Sequence, residues 1–340
     1  MSPYRYLILL VLPATVAAGY LAGGYFTFLT PVCCFVFLPI IDLIPYSKKN
    51  KPPKSSPSDN NAFAVIPFLF VPVVLLLVFG GSIITYYRIF SVQEFIGLML
   101  SAGVVNGTIG FALAHEFIHK FTKSQKVAGY LLLASSNYLH YSIEHVYGHH
   151  VYACTPKDPN SAKKGESFYE FFIRSITGSY INAWKIELKR LKKVNPSFFS
   201  IHNRMLLFQV VQLLILIILC YLYGINALLF FIGQSFVAIV LHQQVNYMQH
   251  YGLTRNDNEG VREKMHAHHT WSIPGNCRIV DLFQVQNHAD HHLHASCSYE
   301  KLIARDESPR LPANYATMMV VSLIPPLWFK IIHKRLPSSF

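Results

Sequence analysis

Apolar residues arrive in long unbroken runs separated by polar stretches, and the lengths of the runs decide the architecture. No charged residue occurs between Tyr6 and Ile41, far more chain than the ~20 residues that one helical crossing of a ~30 Å hydrocarbon layer needs. That run must fold back as a hairpin of two spans. A polar, Pro- and Lys-rich segment, Ser47–Asn61, follows, and then apolar runs at Phe63–Tyr86, Phe95–His115, Leu206–Tyr223 and Ala227–Tyr247. The pattern predicts an all-α integral membrane protein with six transmembrane helices. Met1–Gly24 has the short apolar core of a signal peptide, but a second apolar stretch follows directly, so the first span is read as uncleaved. The chain divides into residues 1–119 (four helices), 120–204 (a mostly polar segment), 205–248 (two helices) and 249–340 (a polar C-terminal segment). Within the polar segments, Val127–Tyr138 is apolar enough to re-enter the membrane surface. Tyr315–Ile332, interrupted by Pro325-Pro326, reads as interfacial or packed against the polar cap. Gly103, Gly107 and Gly110 in the fourth span read as sites of close helix approach.

Composition sharpens this picture. Hydrophobic residues make up 52% and charged residues 14%, well below the ~25% charged of ordinary soluble domains. The net charge of +12 invites a nucleic-acid reading until the positions are inspected: with six spans, every Lys and Arg except Arg88 falls on one side. The positive-inside bias makes that side cytoplasmic, with both termini there and the protein in a bacterial inner membrane. No nucleic-acid partner is expected. Six cysteines without a C-x-x-C pair argue against a disulfide framework or a zinc ribbon.

The 17 histidines are clustered. His115-Glu116-Phe117-Ile118-His119 puts two imidazoles at i and i+4, on one helix face. Alone it is also the zincin signature, with Glu116 as the base of a membrane metalloprotease. Three further clusters dilute that alternative. Glu144-His145-Val146-Tyr147-Gly148-His149-His150 has the same spacing followed by another histidine, with Gly148 expected to end the helix and free His150 to swing in. His250 ends the sixth span ahead of Gly252. His288-Ala289-Asp290-His291-His292 gathers three rings on one face. Nine imidazoles exceed the four to six ligands of one ion, so two metals are implied, and imidazole alone does not choose among Zn, Cu, Fe and Ni. Ligands beside a bilayer favour iron and a lipid-dwelling substrate that offers no group to hydrolyse.

These motifs resemble the four histidine signatures of the integral-membrane alkane monooxygenases, non-haem di-iron relatives of the membrane desaturases and xylene monooxygenases. The resemblance extends to Pro39-Ile40-Ile41-Asp42, to Thr155-Pro156-Lys157-Asp158-Pro159, to Gly165-Glu166-Ser167-Phe168-Tyr169 and to Leu311–Met318. Gln249 departs from it, standing where that family commonly has Glu. What the resemblance implies is a six-helix bundle whose cytoplasmic histidine-rich cap holds two iron ions and hydroxylates the terminal carbon of an alkane or alkyl chain. It also implies electrons from a separate rubredoxin or ferredoxin with an NAD(P)H reductase. The expected ligands are His115, His119, His145, His149, His150, His250, His288, His291 and His292, with no other catalytic group.

Glu116, Glu144 and Asp290 are expected to accept hydrogen bonds from ligand imidazoles, and His269 to stand just behind the ligands. His242, two turns before His250, His294 and His140 are read as bystanders; His266, His268 and His269 are close enough together to bind metal on their own. Phe and Leu side chains of the second, third and fourth spans are expected to wall a dry substrate tunnel. Lys185, Lys189, Arg190, Lys192 and Lys193 read as a solvated or headgroup-facing helix, or as a dock for an acidic electron carrier. Trp184, Trp271 and Trp328 read as interface anchors or core.

Overall fold

The computed structural model describes residues 2–42, 61–194, 197–258, 261–273 and 282–337. The Lys-rich loop after the second span, except Asn61, and the final residue Phe340 lie outside the described residues. Five helices are long and apolar enough to cross a membrane: α1 (Pro3–Ala22), α2 (Gly24–Asp42), α3 (Ala62–Tyr87), α4 (Val92–Ile118) and α8 (Arg204–His250). Helix α8 has 47 residues. Its helical geometry breaks at Gly224, whose φ of 77° suits glycine. Gln212 before the break bonds to Asn137 and Leu139, and Gln234 and Ser235 after it bond to Ser135, so the fifth and sixth runs fold back beside each other at this glycine.

Between and after these helices lie α5 (Lys123–Ser135), α6 (residues 141–152), α7 (Phe168–Val194), α9 (His288–Leu293), α10 (Tyr315–Ser322) and α11 (Pro325–Ile332). A two-stranded hairpin, β1 (Asp257–Asn258) with β2 (Val261–Arg262), is the only sheet among the described residues. The apolar stretch within 127–138 is the body of α5, which lies against the end of α4: a Cβ on Gly129 would touch Phe117 and Ile118.

Small residues and a few polar clamps set the helix positions. A Cβ on Gly107 would come within 2.9 Å of the Ala238 Cα, and one on Gly103 within 2.6 Å of Val237, so α4 and α8 meet backbone to backbone. Gly110 differs, its nearest neighbour being Asn106 on its own helix. In the same seam Asn106 donates to the Gln234 Oε1 at 3.0 Å, and Gln234 donates to the Ser135 carbonyl at 2.8 Å. This joins α4, α8 and α5 by hydrogen bonds where the surroundings are apolar. At the other end of α4, Ser91 and Glu94 form a reciprocal cap. Glu94 also accepts from the Gly24 amide at 2.9 Å, tying the α1–α2 turn to that helix.

The C-terminal pair α10–α11 folds against α8: Gln244 donates to the Met319 carbonyl and to Ser322, and Trp328 packs on Tyr247. Trp271 and Trp328 are fully buried, whereas Trp184 is partly buried and stacks on Phe198.

Candidate metal centre

Each histidine cluster sits at the end of a helix or in a short one. His115 and His119 end α4, His145, His149 and His150 lie on α6, His250 is the last residue of α8 before Gly252 turns the chain at φ 68°, and α9 carries the other three. The structure brings all nine together in two groups. His115, His119, His145, His150 and His291 form one; His149, His250, His288 and His292 form the other; within each, one ligand nitrogen per residue lies within 4.8 Å of the rest. One expectation about α6 is corrected. Gly148 does not stop the helix, which continues to Tyr152; instead His145–His149 form one widened turn with i→i+5 spacing. That turn separates His149 from His145 and sends them to different groups, while His150 joins His145.

The donor set fits metal ions. Nε2 of His115, His119, His149 and His250 is buried without a hydrogen-bond partner. His150 Nε2 faces the Nε2 atoms of both His145 and His291, at 3.1 and 3.0 Å, and His292 Nε2 faces that of His288 at 3.0 Å. One proton on His150 cannot serve two facing lone pairs; a cation can. Burial, then neighbouring imidazoles, pushes the pKa of His145, His150, His288, His291 and His292 well below the usual range. They are therefore neutral, the form that ligates. Burial works in the same direction on His149, but the adjacent Asp158 carboxylate outweighs it and raises the pKa.

The groups behind the ligands differ from expectation. Glu116 is engaged by Lys120 at 2.8 Å and by the Tyr299 amide at 3.2 Å, and Lys120 also donates to the Cys297 carbonyl. Glu144 accepts from Asn160 and Asn182, and Asp290 from Arg305, the Ile303 amide and His294. None of the three carboxylates touches a ligand imidazole; they clamp neighbouring segments. Asp158 does what was expected of them. Its Oδ2 accepts from His149 Nδ1 at 2.9 Å, and Ser161 and the Asn160 amide hold it in place. Asp158 lies in the Thr155–Pro159 stretch, but with no histidine beside it in sequence nothing local marked its role.

His269 acts through its backbone: His250 Nδ1 donates to its carbonyl at 3.2 Å. A third grouping, Glu263, His268 and His269, is also within 4.8 Å. There His269 Nδ1 accepts from the His266 amide, so the neutral ring carries its proton on Nε2, facing Glu263 at 3.5 Å. That is a histidine–carboxylate contact, not a vacant ligand. His294 points to Asp290, and His140 and His242 lie in neither ligand group.

A cavity of about 130 Å³ lies between the histidines and the helices, lined by His115, His145 and His288 and, among others, by Leu12, Phe35, Leu38 and Phe111. Walls come from α1, α2, α4, α8 and α10. The third span, expected as a wall, contributes no lining residue, because α3 turns Phe70, Val74 and Val78 into the bundle core.

The model of the fatty acid desaturase family matches residues 91–322, which include all four histidine clusters. The chain belongs to that family. Among its relatives, alkane 1-monooxygenase 2 of Alcanivorax borkumensis is 39% identical over 72% of this chain and 64% of its own length. Alkane 1-monooxygenase 2 of Pseudomonas aeruginosa is 34% identical over 90% of this chain and 83% of its own length. The xylene/toluene monooxygenase hydroxylase component of Pseudomonas putida is 29% identical over 98% and 89%. The matched region thus spans membrane helices and both histidine groups. In the structure Glu116, between His115 and His119, is bound to Lys120 and the Tyr299 amide, which argues against a peptide-hydrolysing role.

Proposed function

We propose that this protein is an integral-membrane di-iron monooxygenase that hydroxylates the terminal carbon of alkanes or similar alkyl chains. The observation that carries the reading is the cavity: its walls are mostly apolar, and three histidines of the two groups, His115, His145 and His288, line it. An alkyl chain entering it delivers its last carbon to the metal ligands. The two histidine groups would hold one iron ion each, five imidazoles on one and four on the other. When bound, the iron pair supplies the redox chemistry by which dioxygen, two electrons and two protons convert a terminal methyl to a primary alcohol and water. The side chains of this chain position and insulate: Asp158 and the His269 carbonyl hold the proton-bearing Nδ1 of His149 and His250. Leu12, Phe35, Leu38 and Phe111 keep water from the alkyl chain.

The break at Gly224 supports counting α8 as two crossings and the protein as six, with both termini cytoplasmic in a bacterial inner membrane. The divisions at 119, 204 and 248 then separate membrane helices from cap. Electrons come from a separate rubredoxin or ferredoxin and its NAD(P)H reductase. On α7, Lys185, Lys189, Lys192 and Lys193 are exposed and offer a basic face to an acidic carrier, while Arg190 is held by Glu187. The name of the xylene/toluene relative favours, as a second reading, a methyl-bearing ring substrate. Metal analysis together with turnover of octane, hexadecane, xylene and a fatty acid, using a reconstituted electron donor, tests the proposal. Two irons per chain and 1-octanol from octane are expected; a chain without bound iron, or one that releases no alcohol from any of them, would overturn it.

A further inference from the structure

The wall of the cavity carries a ring donor that an alkane cannot use. His242 is 8% exposed and lines the cavity on α8. Its ring lies flat on Phe111, centroids 4.5 Å apart and planes 8° apart, and edge-on to Tyr141 at 4.6 Å. Its Nε2 faces the Asn246 side-chain amide at 3.2 Å, and the same Asn246 nitrogen donates to the Gln243 Oε1 at 3.1 Å. Gln243 is oriented in turn by donating to the Tyr138 hydroxyl and accepting from Ser175. With Asn246 fixed as donor, His242 Nε2 accepts and the ring proton sits on Nδ1. No acceptor for that N–H is found among the described residues, and because His242 lines the cavity a ligand there is the partner within reach. The lock on Nε2, the two-sided ring packing and the placement in the wall make this a built position.

We infer that His242 donates a hydrogen bond to an oxygen on the substrate, so that the preferred substrate is an alkyl chain bearing an ether, ester or hydroxyl oxygen rather than a plain hydrocarbon. The inference rests on the monooxygenase reading and narrows its substrate class. Position follows from the packing. Phe111 is one turn before ligand His115 on α4, and Tyr141 is one turn before ligand His145 on α6. The donor therefore stands about one helical turn, roughly 5 Å, from the ligand level, and the oxygen belongs a few atoms in from the oxidised end.

The test uses metal-loaded protein in nanodiscs and a set of eleven-atom chains: undecane and ethers in which one CH₂ is replaced by oxygen at successive positions. The quantity read is the ratio of dissociation constants, hydrocarbon to ether, compared between wild type and His242→Phe, which keeps the ring packing and removes the donor. Because partition from water affects both proteins equally, it cancels in that comparison. Wild type should favour the near-terminal ethers by roughly five- to tenfold more than His242→Phe does. His242→Gln, which retains an N–H, should recover part of the preference, with unchanged metal content reporting that each variant is folded. Equal ratios in wild type and His242→Phe would overturn the inference even if alkanes are hydroxylated. A preference that depends on His242 without turnover of any chain would instead uphold the inference and remove the monooxygenase reading.

Discussion

Replacing Asp158 with asparagine should loosen one metal ion and spare the other. The carboxylate is buried and receives three donors: His149 Nδ1–H and Ser161 O–H on Oδ2, and the Asn160 amide on Oδ1. Asparagine has almost the same shape but only one acceptor oxygen, so its NH₂ must face either His149 or the Asn160 amide, donor against donor. An unsatisfied buried donor costs about 1–3 kcal/mol. Loss of a group that orients a ligating imidazole typically costs 10–100-fold in metal affinity, or roughly 1.4–2.7 kcal/mol. The two routes agree. His149 belongs with His250, His288 and His292, so only the ion of the four-histidine group should be affected. Metal retained per chain against rising chelator, measured by elemental analysis, should show one ion leaving at 10- to 100-fold lower chelator concentration while the second is held as in wild type. Identical retention by Asp158→Asn and wild type would refute the assignment of His149 as a ligand held by Asp158.

Other expectations follow from the same geometry. Alanine at any of the nine histidines should lower bound metal below two per chain and abolish hydroxylation, whereas His294→Ala should keep both ions; full occupancy in His250→Ala would remove that ligand from the set. Gly107→Val should destabilise the fold by about 2 kcal/mol or more, since even its Cβ would lie 2.9 Å from the Ala238 backbone, read as a lower thermal midpoint in detergent. Glu187 is desolvated, which alone would raise its pKa, but Arg190 and Arg204 outweigh this and hold it down at about 2. Its contribution is thus present above the ordinary carboxylate range and disappears as pH falls through about 2. With the arginines about one-third exposed, Glu187→Gln should cost about 2 kcal/mol at pH 7, and no change in midpoint there would sink that account.

The apolar helices and the gathering of nine histidines into two groups were legible in sequence for a shared reason: both are periodic signals set by strong, local physics. A bilayer fixes helix length, and a compact metal pair demands imidazoles at i, i+3 and i+4. What sequence missed depends on contacts between distant segments. Glu116, Glu144 and Asp290 stand next to ligands in the chain, yet adjacency along a helix turns a side chain about 100° away, and each reaches a different element. Asp158 arrives from a loop, and the His269 carbonyl has no side-chain signature at all. The widened turn at His145–His149 is equally invisible in composition, although it decides which ligand joins which group. Depth along α8 separates His242 from both histidine groups, but depth alone says nothing of a cavity wall.

Metal loading should itself hold the cap closed. The neutral imidazoles of His145, His150, His288, His291 and His292, facing one another across 3.0–3.1 Å contacts, are poorly satisfied without a cation, and the elements that bear the nine histidines are otherwise tied unevenly. Helices α4 and α8 lie in the bundle, but α9 has only six residues and is held by its three histidines and by Asp290, which grips Arg305 and the Ile303 amide. A ligand that binds only the folded state stabilises it by about 4 kcal/mol when present at a thousand times its dissociation constant. Removing metal withdraws that support where α9 has least else to rely on. Lys301, exposed just beyond α9, is then the expected first tryptic site in chelator-treated protein, with readdition of iron restoring protection. Cleavage at Lys301 that proceeds at the same rate with and without metal would show that α9 is held by the Asp290 clamp alone, and that the imidazoles are organised before any ion arrives.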